Sequence, residues 1–244
     1  MTPRTPILLL PGMDGTRFML RPLVELLPEH LEPIVVEYPA DGPCDYAAAL
    51  ATALAALDAL PGDGPVHVLG WSFSGPVAMR LANARPDRVR SVTLVATFVT
   101  APQRWLAVAG VFLWPPVVGL VRTLRRLPLW LFKPPSDPLR QDKAKIWAAI
   151  GARTLSRRVA AIRSVDARDD LRAVRQPLLY LRSSHDRVVP DHNLDRMRAL
   201  RPDLEVATIN GDHFALHKNA AAGAAAIAAF VARCGAADAA PSGE

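Results

Sequence analysis

Short apolar segments rich in β-branched residues alternate along the chain with longer segments in which apolar positions follow helical spacing. Strands are predicted at Ile7 to Leu10, Pro33 to Tyr38, Val66 to Leu69, Val89 to Val95, Pro177 to Arg182 and Leu204 to Ile209. Helices are predicted near Arg17 to Leu27, Tyr46 to Leu60, Phe73 to Ala84, Asp191 to Leu200 and Ala220 to Arg233. This alternation predicts an α/β fold with a mainly parallel sheet of about six strands and helices on both faces.

The alternation stops between residues 101 and 176, where aromatic and aliphatic residues mix with arginines and no strand pattern appears. We therefore expect an inserted helical lid at 101–176, which divides the core into a first part at 1–100 and a second part at 177–234. The small and polar residues at 235–244 predict a disordered tail. Such a lid would lie over the carboxyl ends of the strands, where α/β sheets place their sites.

One segment of the insertion, Trp105 to Val121, is seventeen residues without a charge and approaches the length of a membrane span. Pro115 and Pro116 interrupt this segment, and arginines flank it on both sides. We favour a lid with an apolar underside that lines an acyl pocket, with a transmembrane segment as the alternative.

Composition and charge narrow the class of protein further. The chain has 244 residues, of which half are hydrophobic, and it carries a net charge of +6. No nucleic-acid-binding signature accompanies the basic charge, so we expect no nucleic-acid partner. Because prolines interrupt the apolar segment and arginines flank it, we also expect no stable membrane insertion. Cys44 and Cys234 match no metal or redox spacing and are predicted to be reduced thiols. The apolar run from Ile7 to Leu10 is too short for a signal-peptide core, which predicts a cytoplasmic location.

The segment Gly70-Trp71-Ser72-Phe73-Ser74-Gly75 joins a predicted strand to a predicted helix. A serine at such a sharp turn is typical of the nucleophile elbow, G-x-S-x-G, in which the positions two before and two after the nucleophile must be small. Ser72 has Gly70 and Ser74 at those positions, whereas Ser74 would have Ser72 and Pro76. The sequence therefore favours Ser72 as a nucleophile, and the alternative is a turn with a purely structural role.

A nucleophilic serine needs a base and an orienting acid. His213 lies in a loop after the last predicted strand, and His217, four residues later, is the alternative base. Asp186 follows the strand before that loop, and its alternative role is that of a turn or salt-bridge residue. The chain order of Ser72, Asp186 and His213, each after a strand of one predicted sheet, favours a catalytic set.

At this point the chain resembles the α/β-hydrolase superfamily over essentially its full length. The resemblance is carried by four segments, LLLPGMDG from Leu8, GWSFSG from Gly70, HDRVVP from His185 and GDH from Gly211. It implies that Ser72 is the nucleophile, His213 the base and Asp186 the residue that fixes the imidazole tautomer, with no metal or organic cofactor. It also implies an oxyanion hole formed by the backbone N–H groups of Met13 and Phe73.

The chain departs from many relatives at three places. Pro11 stands where they have histidine, Ser74 stands for a glycine, and we expect no antiparallel hairpin before the first parallel strand. The resemblance implies a carboxylesterase that acts on small or medium acyl esters, with thioesterase and lactonase activity as close alternatives. Cofactor-free peroxidases, hydroxynitrile lyases and a non-catalytic ligand-binding receptor also remain open, whereas members with aspartate at the elbow do not fit Ser72.

Arginines of the predicted lid suggest a partner. Arg122, Arg125 and Arg126, and likewise Arg153, Arg157 and Arg158, have spacings that predict one basic helix face for each set. The chain is similar here to pimeloyl-carrier-protein methyl ester esterases, whose basic lid residues hold an acidic acyl carrier protein. That similarity implies substrate or partner binding by Trp71, Arg122, Arg126, Arg153 and Arg157, and a solvated lid surface is the alternative.

Overall fold

The protein, described by a computed structural model over residues 4–103 and 137–239, is built on one sheet. Within those residues the sheet has six strands, β1 Thr5–Leu10, β2 Leu31–Val35, β3 Val66–Trp71, β4 Val89–Val95, β5 Leu178–Ser183 and β6 Glu205–Ile209. Their order is β2-β1-β3-β4-β5-β6, and every neighbouring pair is parallel. The predicted α/β fold and its mainly parallel sheet are confirmed.

Nine α-helices are found in the described part of the chain. They are α1 Arg21–Leu26, α2 Tyr46–Asp58, α3 Gly75–Ala84, α4 Pro138–Ala149, α5 Ala152–Ser164, α6 Arg168–Ala173, α7 His192–Leu200, α8 Ala215–Lys218 and α9 Ala220–Ala239. Helices α4, α5 and α6 follow β4 and precede β5, as predicted for a helical insertion.

The helices bury both faces of the sheet. Leu8 and Leu10 of β1 belong to one apolar cluster, which includes residues of α2 and α3. Ile7 and Leu9 belong to a second cluster, which includes residues of α1 and α9. Alternate side chains of a strand point to opposite faces, so a strand buried on both faces is apolar throughout. This explains the unbroken run from Ile7 to Leu10.

Strand β2 begins and ends earlier than the sequence pattern predicts. It covers Leu31–Val35 rather than Pro33 to Tyr38, because Thr5 of β1 pairs with Leu31 and Leu9 pairs with Val35. The first helix is also shorter than predicted. A 3₁₀ turn covers Phe18–Leu20, and α1 begins only at Arg21, with Pro22 in its first turn.

The last helix is longer than predicted. It continues to Ala239, so the tail expected to be disordered from 235 is helical for its first five residues. Residues 104–136, which include Trp105 to Val121, Arg122, Arg125 and Arg126, lie outside the described residues. No helix in the described ranges has both the length and the apolar character that crossing a membrane requires. The lid boundaries and the cytoplasmic location stay predictions.

Candidate active site

Ser72 occupies a strained turn at the end of β3. Its φ is 52°, in the left-handed region that residues other than glycine rarely adopt. The chain passes from β3 through a 3₁₀ turn at Ser72–Ser74 into α3. A Cβ at Gly70 would lie 2.8 Å from Cβ of Ala78, so only glycine allows this approach of strand and helix. The turn has the features predicted for a nucleophile elbow.

Ser74, the competing serine, is fully buried and already engaged. Its hydroxyl donates to the carbonyl of Pro11 and lies 2.6 Å from the hydroxyl of Tyr38. Ser74 therefore links the elbow to the loop after β1. It is small, as expected for this position, and it also donates a hydrogen bond to that loop.

His213 connects the elbow to a carboxylate. Its Nε2 lies 3.1 Å from Oγ of Ser72, and its Nδ1 lies 2.8 Å from Oδ2 of Asp186. The other oxygen of Asp186 accepts hydrogen bonds of 2.8 Å from the N–H groups of Val188 and Val189. Asp186 is thus held by its own loop and presents one oxygen to the imidazole. The three residues predicted from chain order lie in one hydrogen-bonded row.

The chemistry of this row follows from the tautomer that it selects. A carboxylate that accepts the proton on Nδ1 of His213 would leave a lone pair on Nε2, directed at the hydroxyl of Ser72. The loops that carry the acid and the base are joined to each other, because the N–H of His185 donates to the carbonyl of Gly211 over 2.9 Å. Gly211 has a φ of 141°, a conformation that favours glycine at this turn.

His217 has a different partner. It lies in α8 and is buried, and its Nε2 is 3.0 Å from Oδ2 of Asp142 in α4. Within the described residues no hydrogen bond joins His217 to Ser72. The choice of His213 over His217 as the base agrees with this placement.

Asp142 is a buried carboxylate near the site that sequence reasoning missed. Its side chain has no exposed surface, and Arg21 and Lys145 also donate to it over 3.1 and 3.2 Å. Burial acts to raise the pKa of Asp142, but the hydrogen bonds from His217, Lys145 and Arg21 outweigh that effect and hold the pKa below its ordinary value. This cluster ties α4 of the lid to α1 and α8 of the core.

The two predicted oxyanion-hole residues flank the elbow serine. Phe73 is fully buried, and its ring stacks on Tyr46 with centroids 4.5 Å apart, so its side chain is committed to the core. Met13 lies in the loop after β1 and lines the same cavity as Ser72. The oxyanion-hole assignment stays a prediction.

A cavity of about 480 Å³ opens beside Ser72 and His213. The core contributes Trp71 and Phe98 to its wall, and the described part of the lid contributes five aliphatic side chains, Ile146, Ile150, Leu155, Val159 and Ile162. Lys143 of α4 also lines it, with Nζ 3.8 Å from the ring centroid of Phe214. The part of the predicted insertion that contains α4 and α5 therefore presents aliphatic side chains to this cavity.

The three arginines of α5 do not share one exposed face as predicted. Arg153 and Arg157 are exposed, and Arg157 donates to the carbonyl of Gly42 over 3.1 Å. Arg158 is instead buried, and its guanidinium reaches the carbonyls of Met13 and Asp14. Arg158 lies on the buried face of α5 together with Thr154 and Ile162, each of which is four residues from it.

The carboxyl group of Asp14 lies at the edge of the cavity, and burial raises its pKa despite hydrogen bonds from the hydroxyl and N–H of Thr16. Within residues 4–103 and 137–239, no three His, Cys, Asp or Glu side chains are grouped as a metal would require. Trp71 lies next to Ser72, and its ring meets Phe214 edge to face at 6.5 Å in the cavity wall. Its role in substrate binding stays a prediction.

Comparison with characterised sequences gives relatives among hydrolases. The protein named Putative carbamate hydrolase RutD, from Azorhizobium caulinodans, is 29% identical over 222 residues, which cover 84% of this chain and 83% of that protein. The Pimeloyl-[acyl-carrier protein] methyl ester esterase of Neisseria meningitidis is 37% identical over 98 residues, which cover 38% of this chain. Polyketide synthase ThaQ of Burkholderia thailandensis is 39% identical over 97 residues. The matches span 36% of the Neisseria esterase and 5% of the polyketide synthase.

Solved structures share the fold at low sequence identity. The enol-lactonase of Burkholderia xenovorans has a TM-score of 0.75 with this chain at 18% identity, over 94% of this chain and 92% of that one. The family described as the alpha/beta hydrolase family matches residues 7–227, which include all of β2 to β6 and most of β1. Together these findings place the chain among hydrolases, and it belongs to the alpha/beta hydrolase family.

Proposed function

We propose that the chain is a serine-dependent carboxylic ester hydrolase that acts on small or medium acyl esters. The observation that carries the proposal is the row from Ser72 through His213 to Asp186, in which successive side chains lie 3.1 and 2.8 Å apart. This row opens on an apolar cavity of about 480 Å³. A nucleophile, a base and an orienting acid beside an acyl-sized cavity are what ester hydrolysis through an acyl-enzyme requires.

In the first half-reaction, Oγ of Ser72 attacks the ester carbonyl carbon while Nε2 of His213 takes the hydroxyl proton. The carbonyl oxygen becomes an oxyanion that accepts hydrogen bonds from the N–H groups of Met13 and Phe73. Asp186 stabilises the imidazolium and keeps its orientation. The tetrahedral intermediate then collapses, and His213 gives its proton to the departing alkoxide, which leaves as an alcohol.

In the second half-reaction, a water molecule replaces the alcohol. His213 takes a proton from this water, and the resulting hydroxide attacks the acyl carbon of the Ser72 ester. The second tetrahedral intermediate expels Oγ of Ser72, which recovers its proton from His213. The carboxylic acid is released and the free serine is restored, so every step uses only water and groups of this chain.

Labelling with a fluorophosphonate tests this proposal. A fluorophosphonate probe should label the wild-type chain and should not label Ser72→Ala, which should also lose ester hydrolysis while keeping its circular dichroism spectrum. Ser74→Ala is the matched control, because it removes a buried hydroxyl two residues away. It should keep labelling and most activity and lose about 1 to 3 kcal/mol of stability, since the Pro11 carbonyl and the Tyr38 hydroxyl lose a partner. Loss of labelling in Ser74→Ala alone would reverse the assignment.

A panel of substrates separates the remaining alternatives. p-Nitrophenyl esters of increasing chain length measure the acyl preference that the cavity sets, and matched thioesters and lactones test the thioesterase and lactonase alternatives. The enol-lactonase resembles this chain only in its fold, so that resemblance does not show whether the substrate is an ester or a lactone. A chain that binds these compounds with no turnover and no fluorophosphonate labelling would be a receptor instead.

We also propose that the physiological ester is carried on an acyl carrier protein. The Neisseria relatives, named as pimeloyl-[acyl-carrier protein] methyl ester esterases, favour this substrate class. Arg153 and Arg157 support it, because both are exposed on α5, the helix that also lines the cavity. Arginine grips phosphate groups in two places and stays charged at any working pH.

Charge reversal tests the carrier proposal. Arg153→Glu with Arg157→Glu should weaken turnover of a methyl ester on the carrier, with a loss that shrinks at high salt because exposed charges are screened. Turnover of a p-nitrophenyl ester should hardly change. The same reversals at Arg122 and Arg126 test the part of the proposal that lies outside the described residues. Equal losses with both substrates, or no loss with either, would leave a small-molecule esterase.

A further inference from the structure

Arg158 is a buried arginine, with 2% of its surface exposed. It projects from α5 of the lid, and its partners are backbone carbonyls of the core. Nη1 donates to Met13 over 3.0 Å and to Asp14 over 2.7 Å, and Nη2 donates to Pro39 over 2.8 Å. A lid residue therefore holds the loop that contains one of the proposed oxyanion donors.

That loop, from Pro11 to Gly15, is a tight turn. The N–H of Gly15 donates to the carbonyl of Gly12 over 2.9 Å, which closes the turn. Gly15 has a φ of 71°, and a Cβ there would lie 2.9 Å from Cζ of Arg158. Glycine is thus required at residue 15 by the turn itself and by the guanidinium that fills the space beside it.

Every carbonyl from Pro11 to Asp14 has a donor. Pro11 accepts from the hydroxyl of Ser74, Gly12 accepts from Gly15, and Met13 and Asp14 accept from Arg158. Because a peptide unit is planar, fixing the carbonyl of Gly12 also fixes the direction of the N–H of Met13. Arg158 binds the carbonyls of the next two peptide units, those of Met13 and Asp14. Without these hydrogen bonds the two peptide units could rotate, and the turn that Gly15 closes on Gly12 would be less firmly held.

The burial of Arg158 does not serve stability in an obvious way. Removing a guanidinium from water is costly, and burial lowers the pKa of Arg158. Within the described residues no carboxylate lies within 4.0 Å of it to form an ion pair. A planar guanidinium can meet several carbonyls at fixed angles, whereas a lysine ammonium offers a single charged point. This combination favours a role in fixing geometry.

We propose that Arg158 is a positioning residue that holds the Pro11 to Gly15 loop in its oxyanion-binding conformation from the lid. Catalysis at Ser72 then depends on the seating of α5 on the core, even though Arg158 does not touch the reacting atoms. The inference rests on the proposed function, because it requires that the N–H of Met13 be an oxyanion donor.

Three variants test this role, Arg158→Met, Arg158→Lys and, as the matched control, Arg163→Met, which changes an exposed arginine of the same helix. For p-nitrophenyl butyrate, kcat of Arg158→Met should fall by about 10- to 100-fold, somewhat less than the roughly 100- to 1,000-fold that loss of an oxyanion donor costs. KM should change by less than about threefold, because the loss falls on the transition state. Arg158→Lys should lie between Arg158→Met and the wild type, and Arg163→Met should match the wild type.

A transition-state mimic supplies a readout that a merely structural role would not move. The inhibition constant of a trifluoromethyl ketone, which forms a tetrahedral adduct with the serine, should rise across the variants in proportion to the loss of kcat/KM. Rates are divided by the concentration of sites that a fluorophosphonate labels, so unfolded protein does not count. Proportional changes in both quantities would support the positioning role.

Three results would overturn the inference. They are an unchanged kcat in Arg158→Met, an inhibition constant that does not follow kcat/KM, and failure of both Arg158 variants to fold, which would assign Arg158 to the fold itself. The proposed function fails separately, when the wild-type chain is not labelled or Ser72→Ala keeps its activity. The two failures are therefore distinguishable.

Discussion

Two buried histidines four residues apart in the chain each contact an aspartate, and the two pairs differ in the other groups that they contact. His213 meets Asp186 through Nδ1 and turns Nε2 to Ser72. His217 meets Asp142 through Nε2, and Asp142 also binds Arg21 and Lys145. The first pair directs a nitrogen at the hydroxyl of Ser72 beside the cavity, whereas the second joins α4 to α1 and α8.

The difference teaches that a buried histidine–carboxylate contact does not by itself indicate catalysis. Both contacts are close, at 2.8 and 3.0 Å, and both histidines are buried. What separates them is the partner of the carboxylate's other oxygen. Oδ1 of Asp186 accepts from backbone N–H groups of its own loop, whereas Oδ1 of Asp142 accepts from the charged side chain of Lys145 in the same helix. Arg21 shares Oδ2 of Asp142 with His217.

The largest effect should come from removing each histidine in turn. His213→Ala should lower kcat by about 10⁴-fold or more, as loss of a triad member does. His217→Ala should keep kcat within about threefold wherever the protein is folded. Steady-state kinetics with p-nitrophenyl butyrate, normalised to folded protein, checks both values. Equal and large losses would mean that the two pairs do not have separate roles.

The next largest effect should come from the carboxylates. Asp142→Ala should lower the free energy of unfolding by about 3 kcal/mol, because it leaves the buried imidazole of His217 without its partner and removes the anion that the half-exposed Arg21 and Lys145 share. Asp186→Ala should instead show its main effect in kcat. Urea unfolding and kinetics on the same samples measure the two quantities. A large loss of kcat in Asp142→Ala with unchanged stability would contradict the structural role.

A third buried histidine, which faces a hydroxyl instead of a carboxylate, sharpens the comparison through pH. Nδ1 of His67 lies 2.7 Å from Oγ of Ser91, and burial, with a smaller contribution from nearby Arg90, lowers the pKa of His67 to about 4. The stability that depends on neutral His67 is complete above about pH 6.5 and is lost as the pH falls toward 4, because only the unfolded chain takes up the proton there.

Urea unfolding at pH 7 and pH 4.5 measures this loss. His67→Gln should lose less stability between these two pH values than the wild type does, with a difference of about 2 kcal/mol. The comparison between variant and wild type cancels the carboxylates that titrate in the same range. The same loss in both proteins would show that His67 does not remain neutral in the folded state.

The smallest effect should come from Lys145, the exposed partner of Asp142. Its side chain is half exposed, and ion pairs at that exposure contribute at most about 1 kcal/mol. Lys145→Met should therefore change the urea midpoint only slightly and leave kcat unchanged. A loss as large as that of Asp142→Ala would mean that the Asp142 cluster acts as one unit.

The sequence predicts those parts of the site that depend on local pattern and chain order. The elbow around Ser72 is recognisable because strand and helix signals flank it, and Asp186 and His213 follow strands of one sheet. The parallel sheet brings their carboxyl ends together, so their meeting follows from topology. For the same reason the six strands could be predicted, although the bounds of β2 depend on its pairing with β1.

The rest depends on contacts between distant parts of the chain. The contact of Asp142 with His217 spans 75 residues, and that of Arg158 with Met13 spans 145. The arginine spacing on α5 predicted one exposed face, and only the packing of the lid shows that Arg158 turns inward. The two hydrogen bonds of Ser74 were missed for a similar reason, since the position was judged by size alone.

Pro33 in β2 affects whether this edge of the sheet can pair with a strand of another molecule. The N–H of Val36 donates to Leu9, so Glu32, Ile34 and Val36 turn toward β1 and Pro33 faces the free edge of the sheet. Pro33 has no N–H to offer a strand from another molecule. The five-residue strand therefore presents a poor template for intermolecular pairing, and this edge of the sheet resists aggregation.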